Sequence, residues 1–133
     1  MGLDTTHNCW HGAYSAFGRW RNKLAEVAGY AFYKTESGSV IPLVDWGHLQ
    51  DNLYGEWDKT PEDPLLVLIA HSDCEGKIYQ KEAQALADRL QSLLPLLPDE
   101  IGGGHIGNWR ETTQTFIDGL RDAVARNEIV EFH

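Results

Sequence analysis

Residues 64–82 read Pro64-Leu65-Leu66-Val67-Leu68-Ile69-Ala70-His71-Ser72-Asp73-Cys74-Glu75-Gly76-Lys77-Ile78-Tyr79-Gln80-Lys81-Glu82, and the order of residue types in this stretch sets the expected fold class. Leu65 to Ala70 is apolar without a break and short, the pattern of a buried strand. An acidic turn with Gly76 follows. From Gln80 to Leu94, residues Ala83, Leu86, Ala87, Leu90, Leu93 and Leu94 recur at three- and four-residue steps, which places them on one helix face. Pro95 and Pro98 end that helix. A strand, a turn and an amphipathic helix in succession predict a mixed α+β domain.

The flanking sequence extends this reading. Trp10, Ala13, Phe17, Trp20, Leu24 and Val27 share a helical face, predicting a helix from about Thr6 or Ala13 to Ala28, stopped by Gly29. Gly12 and Gly18 weaken its start by about 1 kcal/mol each relative to Ala. Tyr30–Tyr33 and Val40–Trp46 suggest short strands, the second confined to a sheet edge by Pro42. Residues 47–64 have no sustained period but hold Leu49, Leu53, Tyr54 and Trp57, so a packed loop with one helical turn near Leu49–Leu53 is expected. Gly102, Gly103 and Gly104 form a break. Asn108 then opens a third helix as N-cap, with Glu111 at capping-box spacing. Asn127 closes it, and Ile129–Phe132 reads as a terminal strand. The expectation is one α+β domain over 1–133, with three helices on a small sheet of two to four strands.

Length and charge narrow the function classes. A chain of 133 residues can bury a hydrophobic core without disulfide staples. No apolar run reaches the length of a membrane span, and no basic region followed by an apolar core opens the sequence, so neither a membrane partner nor a secretion signal is expected. Cys9 and Cys74 are then expected as free thiols in a reducing cytoplasm. The net charge is −9, with −6 concentrated in residues 35–64. That imbalance argues against nucleic acid, whose phosphates need a clustered basic surface. It suits a cation or a basic protein partner.

The stretch 71–82 carries the densest set of donors. His71, Asp73, Glu75 and Glu82 stand at positions one, three, five and twelve, with Gly76 at six and Ile78 at eight. This spacing resembles an EF-hand calcium loop, though such a loop starts with Asp and follows a helix. The plainer alternative is an acidic turn in which Asp73 caps backbone amides. His7 and His11, four apart on the expected first helix, form a second donor pair; with Asp4 or Cys9, or with His71 and Asp73, they would suit zinc. Calcium or zinc is the expected cofactor, depending on which donors meet. His48 and His105 have weaker grounds. Trp46, Tyr54 and Trp57, set among Asp and Glu, are candidates for a partner surface or for anchors of the acidic loop.

A strand running into His71-Ser72-Asp73 and an acidic-Gly pair resembles the first motif of DHH phosphoesterases and part of the entry motif of PHP-type phosphoesterases. The further ligand motifs of both are missing here, and Ile69 stands where the PHP pair has its first histidine. Over its whole length the chain resembles small uncharacterised bacterial proteins, on Trp10-His11-Gly12-Ala13-Tyr14-Ser15 and His71-Ser72-Asp73-Cys74; this resemblance implies no activity. The sequence therefore favours a metal-binding α+β protein with its site at 71–82. The alternatives are a non-catalytic acidic interaction protein of inhibitor or immunity type, and a small metal-dependent hydrolase using Glu75 or Asp73 as general base.

Overall fold

The computed structural model describes residues 2–102 and 106–133. In chain order the elements are β1 (Gly2–Asp4), β2 (His11–Ala13), α1 (Tyr14–Val27), β3 (Phe32–Lys34), β4 (Val40–Pro42), α2 (Trp46–Leu49), α3 (Leu65–Ile69), β5 (Gly76–Ile78), α4 (Gln80–Leu93), α5 (Trp109–Ala125) and β6 (Val130–Phe132), with one-turn 3-10 segments at Thr6–Asn8, Gln50–Asn52 and Leu94–Leu96. Gly103, Gly104 and His105, which include most of the expected glycine break, lie outside the described residues.

The three long helices form where apolar spacing puts them. Phe17, Trp20 and Leu24 of α1, Leu86 and Leu90 of α4, and Phe116, Ile117 and Leu120 of α5 are all fully buried in one hydrophobic cluster. Trp20 sits at its centre, 4.9 Å from the Phe116 ring and 5.3 Å from the Trp10 ring. Its indole nitrogen donates to Thr113 Oγ1 at 2.9 Å, and that hydroxyl donates to the Trp109 carbonyl at 2.8 Å. The only hydroxyl deep between α1 and α5 among the described residues is thus satisfied at both ends, as burial requires.

The ends of the helices follow their sequence signals. Asn108 Oδ1 accepts from the backbone nitrogens of Arg110 at 2.9 Å and Glu111 at 3.2 Å, capping α5. Asn127, at φ 57°, closes it. Gly29, at φ 94°, turns the chain out of α1.

Strand pairing is more divided than expected. Instead of one sheet there are three two-stranded antiparallel ribbons: β1–β2, β3–β4 and β5–β6. A single bridge between Thr5 and Phe132 joins the first ribbon to the third. The architecture is mixed α and β, with five α-helices where three were expected.

Two local expectations are corrected. The apolar run 64–70 is not a strand but the short buried helix α3. An all-apolar run has no period to separate the two states, and here distant polar groups decide. Asp63 Oδ1 accepts from Leu65 N at 3.0 Å at the start. At the end, Arg21 Nη1 donates to the carbonyls of Leu68 at 3.1 Å, Ile69 at 3.3 Å and His71 at 2.6 Å, so the helix is sealed by a cation where its carbonyls converge. The second correction is at the N-terminal side. The first long helix begins at Tyr14, not near Thr6, because residues 2–13 fold back as the β1–β2 hairpin, with Asp4 paired to His11 and Gly2 to Ala13. Trp10 still reaches the core, from the hairpin loop and not from a helix.

Candidate functional site

The donors of residues 71–82 do not converge. Both ring nitrogens of His71 face backbone carbonyls, Nδ1 toward Ser72 O at 2.8 Å and Nε2 toward Lys77 O at 3.0 Å, and the ring lies 4.0 Å from that of Phe132. Burial pushes the imidazole below its ordinary pKa; the two carbonyls pull it back up, and the charge of Arg21 lowers it further. This histidine is a structural post. Asp73 interacts electrostatically with Arg21. Glu75 instead faces Tyr54, whose hydroxyl pKa it raises. Glu82 is buried on the first turn of α4 and lines a separate cleft with Gly55, Glu56, Trp57, Asp58, Tyr79 and Lys81. Ser72, not Asp73, caps the turn: its Oγ accepts from Cys74 N at 3.2 Å and Glu75 N at 3.3 Å.

His7 and His11 do not share a helix face either, because neither is on an α-helix. His7 sits at φ 62° in the hairpin loop, its ring held between Thr6 Oγ1 at 2.8 Å and Glu128 Oε1 at 3.0 Å. His11 lies on β2 and pairs through Nδ1 with Asp4 Oδ1. Among the described residues no group of three or more His, Cys, Asp or Glu side chains gathers in a geometry to hold a metal ion. Of the central aromatics, Trp46 and Trp57 are half-buried against the core and act as anchors of the acidic loop. Trp46 donates to Pro42 O at 3.0 Å, and only Tyr54 is exposed.

What the fold does assemble is a cleft of about 370 Å³ between the first hairpin and the N-terminal half of α5, lined by Asp4, Thr5, Asn8, Cys9, Trp10, His11, Ile106, Thr112 and Thr115. The hairpin loop is built for this wall. His7 and Asn8, at φ 62° and 57°, are consecutive non-glycine residues in the left-handed region, a conformation that side chains adopt at a cost of about 1 kcal/mol or more each. Thr5 locks the reversal: its backbone nitrogen donates to Trp10 O at 3.1 Å, and its Oγ1 accepts from Trp10 N at 2.9 Å. Gly119 on α5 leaves just enough room for the loop.

Three features give the cleft chemical character. His11 Nδ1 is paired with Asp4 Oδ1, and the His11 side chain is 89% exposed. Trp10 is 7% exposed, and its indole nitrogen is enclosed without an acceptor among the described residues. A buried donor left unpaired costs about 1–3 kcal/mol. That nitrogen lies 3.5 Å from where a Cβ on Gly12 would stand, at the β2 wall beside His11. The side chains of Asn8 and Thr115 are exposed and make no hydrogen bond to a described residue. By contrast Cys9, 1% exposed, has its thiol pushed up to about 12 by burial, against a lowering hydrogen bond from Thr5. It is not a thiolate near neutrality.

Comparison with protein-family models, curated proteins and solved structures returned no match. The site must be read from its own chemistry.

Sequence reading placed Asp4, Cys9 and His11 near one another, but as donors beside a helix start. It missed Asn8, Ile106, Thr112 and Thr115. Thr112 and Thr115 reach the cleft on α5, and Ile106 from the segment before it; no local pattern marks them. No helix among the described residues is long and apolar enough to cross a membrane.

Proposed function

We propose that the hairpin–α5 cleft is a hydrolytic site in which His11, oriented by Asp4, acts as general base. The carrying observation is the Asp4–His11 pair across β1 and β2, both residues lining the same cleft. A carboxylate on Nδ1 supports imidazole basicity at Nε2 and stabilises the imidazolium formed when it takes a proton.

The nucleophile follows by elimination. The Cys9 thiol is buried and raised to about 12, the Thr5 hydroxyl holds the loop, and Thr112 Oγ1 donates to Ile106 O at 2.7 Å. Water is left. His11 takes a proton from it as the oxygen attacks a substrate carbonyl, and the imidazolium returns the proton to the leaving group. Asn8 and Thr115 supply further hydrogen bonds for orientation.

Charge selects the substrate class. No Lys or Arg lines the cleft among the described residues, and phosphoryl oxygens need such cations. A neutral carboxylic ester or amide of small size fits better. The test is a panel of such esters and amides, with phosphoesters as controls, assayed in EDTA and again with added zinc or manganese. Turnover of esters in EDTA that disappears in His11→Ala supports the proposal. Turnover that requires metal would replace it by the metal-dependent reading, with His11 as a ligand held by a carboxylate.

A further inference from the structure

Helix α1 carries a glycine that neither its backbone nor its packing calls for. Gly18 lies mid-helix without a left-handed φ, a position where glycine is disfavoured relative to alanine. A Cβ added there would meet no atom within 4 Å beyond its own stretch of helix. Gly119 on α5, by contrast, has the hairpin loop pressed against it. Gly18 faces open space.

That space is a hollow of about 350 Å³ between α1 and the β3–β4 ribbon. Two side chain-to-backbone bonds set its walls. Asn22 Nδ2 donates to Val40 O at 3.1 Å, tying β4 to α1, and Trp46 Nε1 donates to Pro42 O at 3.0 Å. Ile41, Trp46 and Ile69 make the walls apolar. The rim is polar and basic. Ser15 and Arg19, four apart on the same helix face, are both exposed, and Arg21 also lines the hollow. Arg21 is committed to the carbonyls that end α3 and feels the charge of Asp73, so Arg19 is the head group that a ligand can reach. The lining holds no carboxylate among the described residues, although the chain carries −9.

We propose that this hollow binds a small amphiphilic carboxylate, its apolar body against Gly18 between Ile41 and Trp46 and its carboxylate on the Arg19 guanidinium and the Ser15 hydroxyl. The basic lining selects an anion and the apolar walls select a body; acetate would satisfy only the first, and a neutral amide only the second. A guanidinium has five N–H donors in a fixed fork, so Arg19 can take a carboxylate in addition to contacts within the fold. The missing side chain at Gly18 leaves room for the body to lie close to the helix. The hollow shares no residue with the His11 cleft, and its occupancy does not depend on that chemistry.

The test titrates hexanoate into the whole chain, with hexanamide, hexylammonium and acetate as comparisons, and follows NMR signals of the Gly18 amide and the Trp46 indole N–H. Hexanoate should shift both signals saturably, and more weakly as salt rises. Hexanamide, which lacks the charge, and acetate, which lacks the body, should each bind about tenfold or more weaker, and hexylammonium should not bind. Arg19→Gln should weaken hexanoate by about tenfold or more. Gly18→Ala and Gly18→Leu put side-chain atoms into the hollow. Each should keep or raise the melting temperature, because the space is open and the helix gains, while weakening hexanoate progressively at the Trp46 signal. A binding site that fills while the fold holds or strengthens is not the mark of a merely structural glycine. Four results would overturn the inference: no saturable shift with hexanoate, equal binding of hexanamide, unchanged affinity in Gly18→Leu, or a fall in melting temperature in Gly18→Ala. A concentration-dependent dimer that Gly18→Leu dissolves would overturn it too, assigning the hollow to a second copy of the chain.

Discussion

Gly119 on α5 lies directly beneath Cys9 of the hairpin loop: a Cβ at this position would stand 2.5 Å from the cysteine sulfur, 2.7 Å from His7 O and 3.0 Å from Cys9 N. A glycine mid-helix is unfavourable by about 1 kcal/mol relative to Ala, so this one is kept by the close approach of the loop that forms the cleft wall.

Gly119→Ala is accordingly expected to destabilise the chain. The helix gains from the alanine, but backbone atoms of the loop must move, and such overpacking costs about 1–3 kcal/mol. Urea unfolding checks the sign. An increase in stability would show that the loop yields freely and that the cleft wall is not fixed by this contact.

The two thiols should differ sharply in reactivity. Cys74 is exposed and Cys9 buried, with its pKa raised to about 12. A thiol-reactive disulfide reagent at mildly alkaline pH should label one cysteine per chain quickly and the second only after denaturation. Cys74→Ser should remove the fast phase. Rapid labelling of Cys9 in the folded chain would mean that its sulfur is accessible from the cleft, reopening a cysteine nucleophile.

His71 predicts a pH dependence of stability. Its folded pKa is lowered by burial and by Arg21, against the raising effect of the Ser72 and Lys77 carbonyls. The unfolded imidazole therefore binds a proton more readily than the folded one. Its contribution is fully present above the ordinary value of 6.5 and is lost as pH falls below that value toward the lowered folded one. Unfolding free energies measured from pH 8 to 5 should fall more steeply in the native chain than in His71→Gln. Parallel curves would contradict a depressed His71.

The long helices were legible because Phe17, Trp20, Leu24, Leu86, Leu90, Phe116 and Leu120 repeat at helical steps and all are buried. The α3 segment was not, since Leu65–Ile69 has no polar face to give a period. Its state is set by Asp63 and by Arg21, the latter some 50 positions away in sequence. The hairpin was hidden because Trp10 and Ala13 happen to continue the spacing of α1, while Gly12 and the left-handed His7 and Asn8 break it. The spacing of His71, Asp73, Glu75 and Glu82 counted donors without their directions. In the fold His71 turns to backbone carbonyls and Glu82 to another cleft. Asp4 and His11 were visible as donors, yet only the antiparallel register that opposes them makes them a pair.

The most direct measurement is kcat/KM for a small ester substrate in the native chain, in Asp4→Asn and in His11→Ala. With His11 as general base, the native chain should turn the ester over well above the rate in buffer. Asp4→Asn should be about tenfold or more slower, within the range general-base catalysis contributes, and His11→Ala should fall to the rate in buffer. Equal rates in all three proteins would contradict a catalytic role for the Asp4–His11 pair.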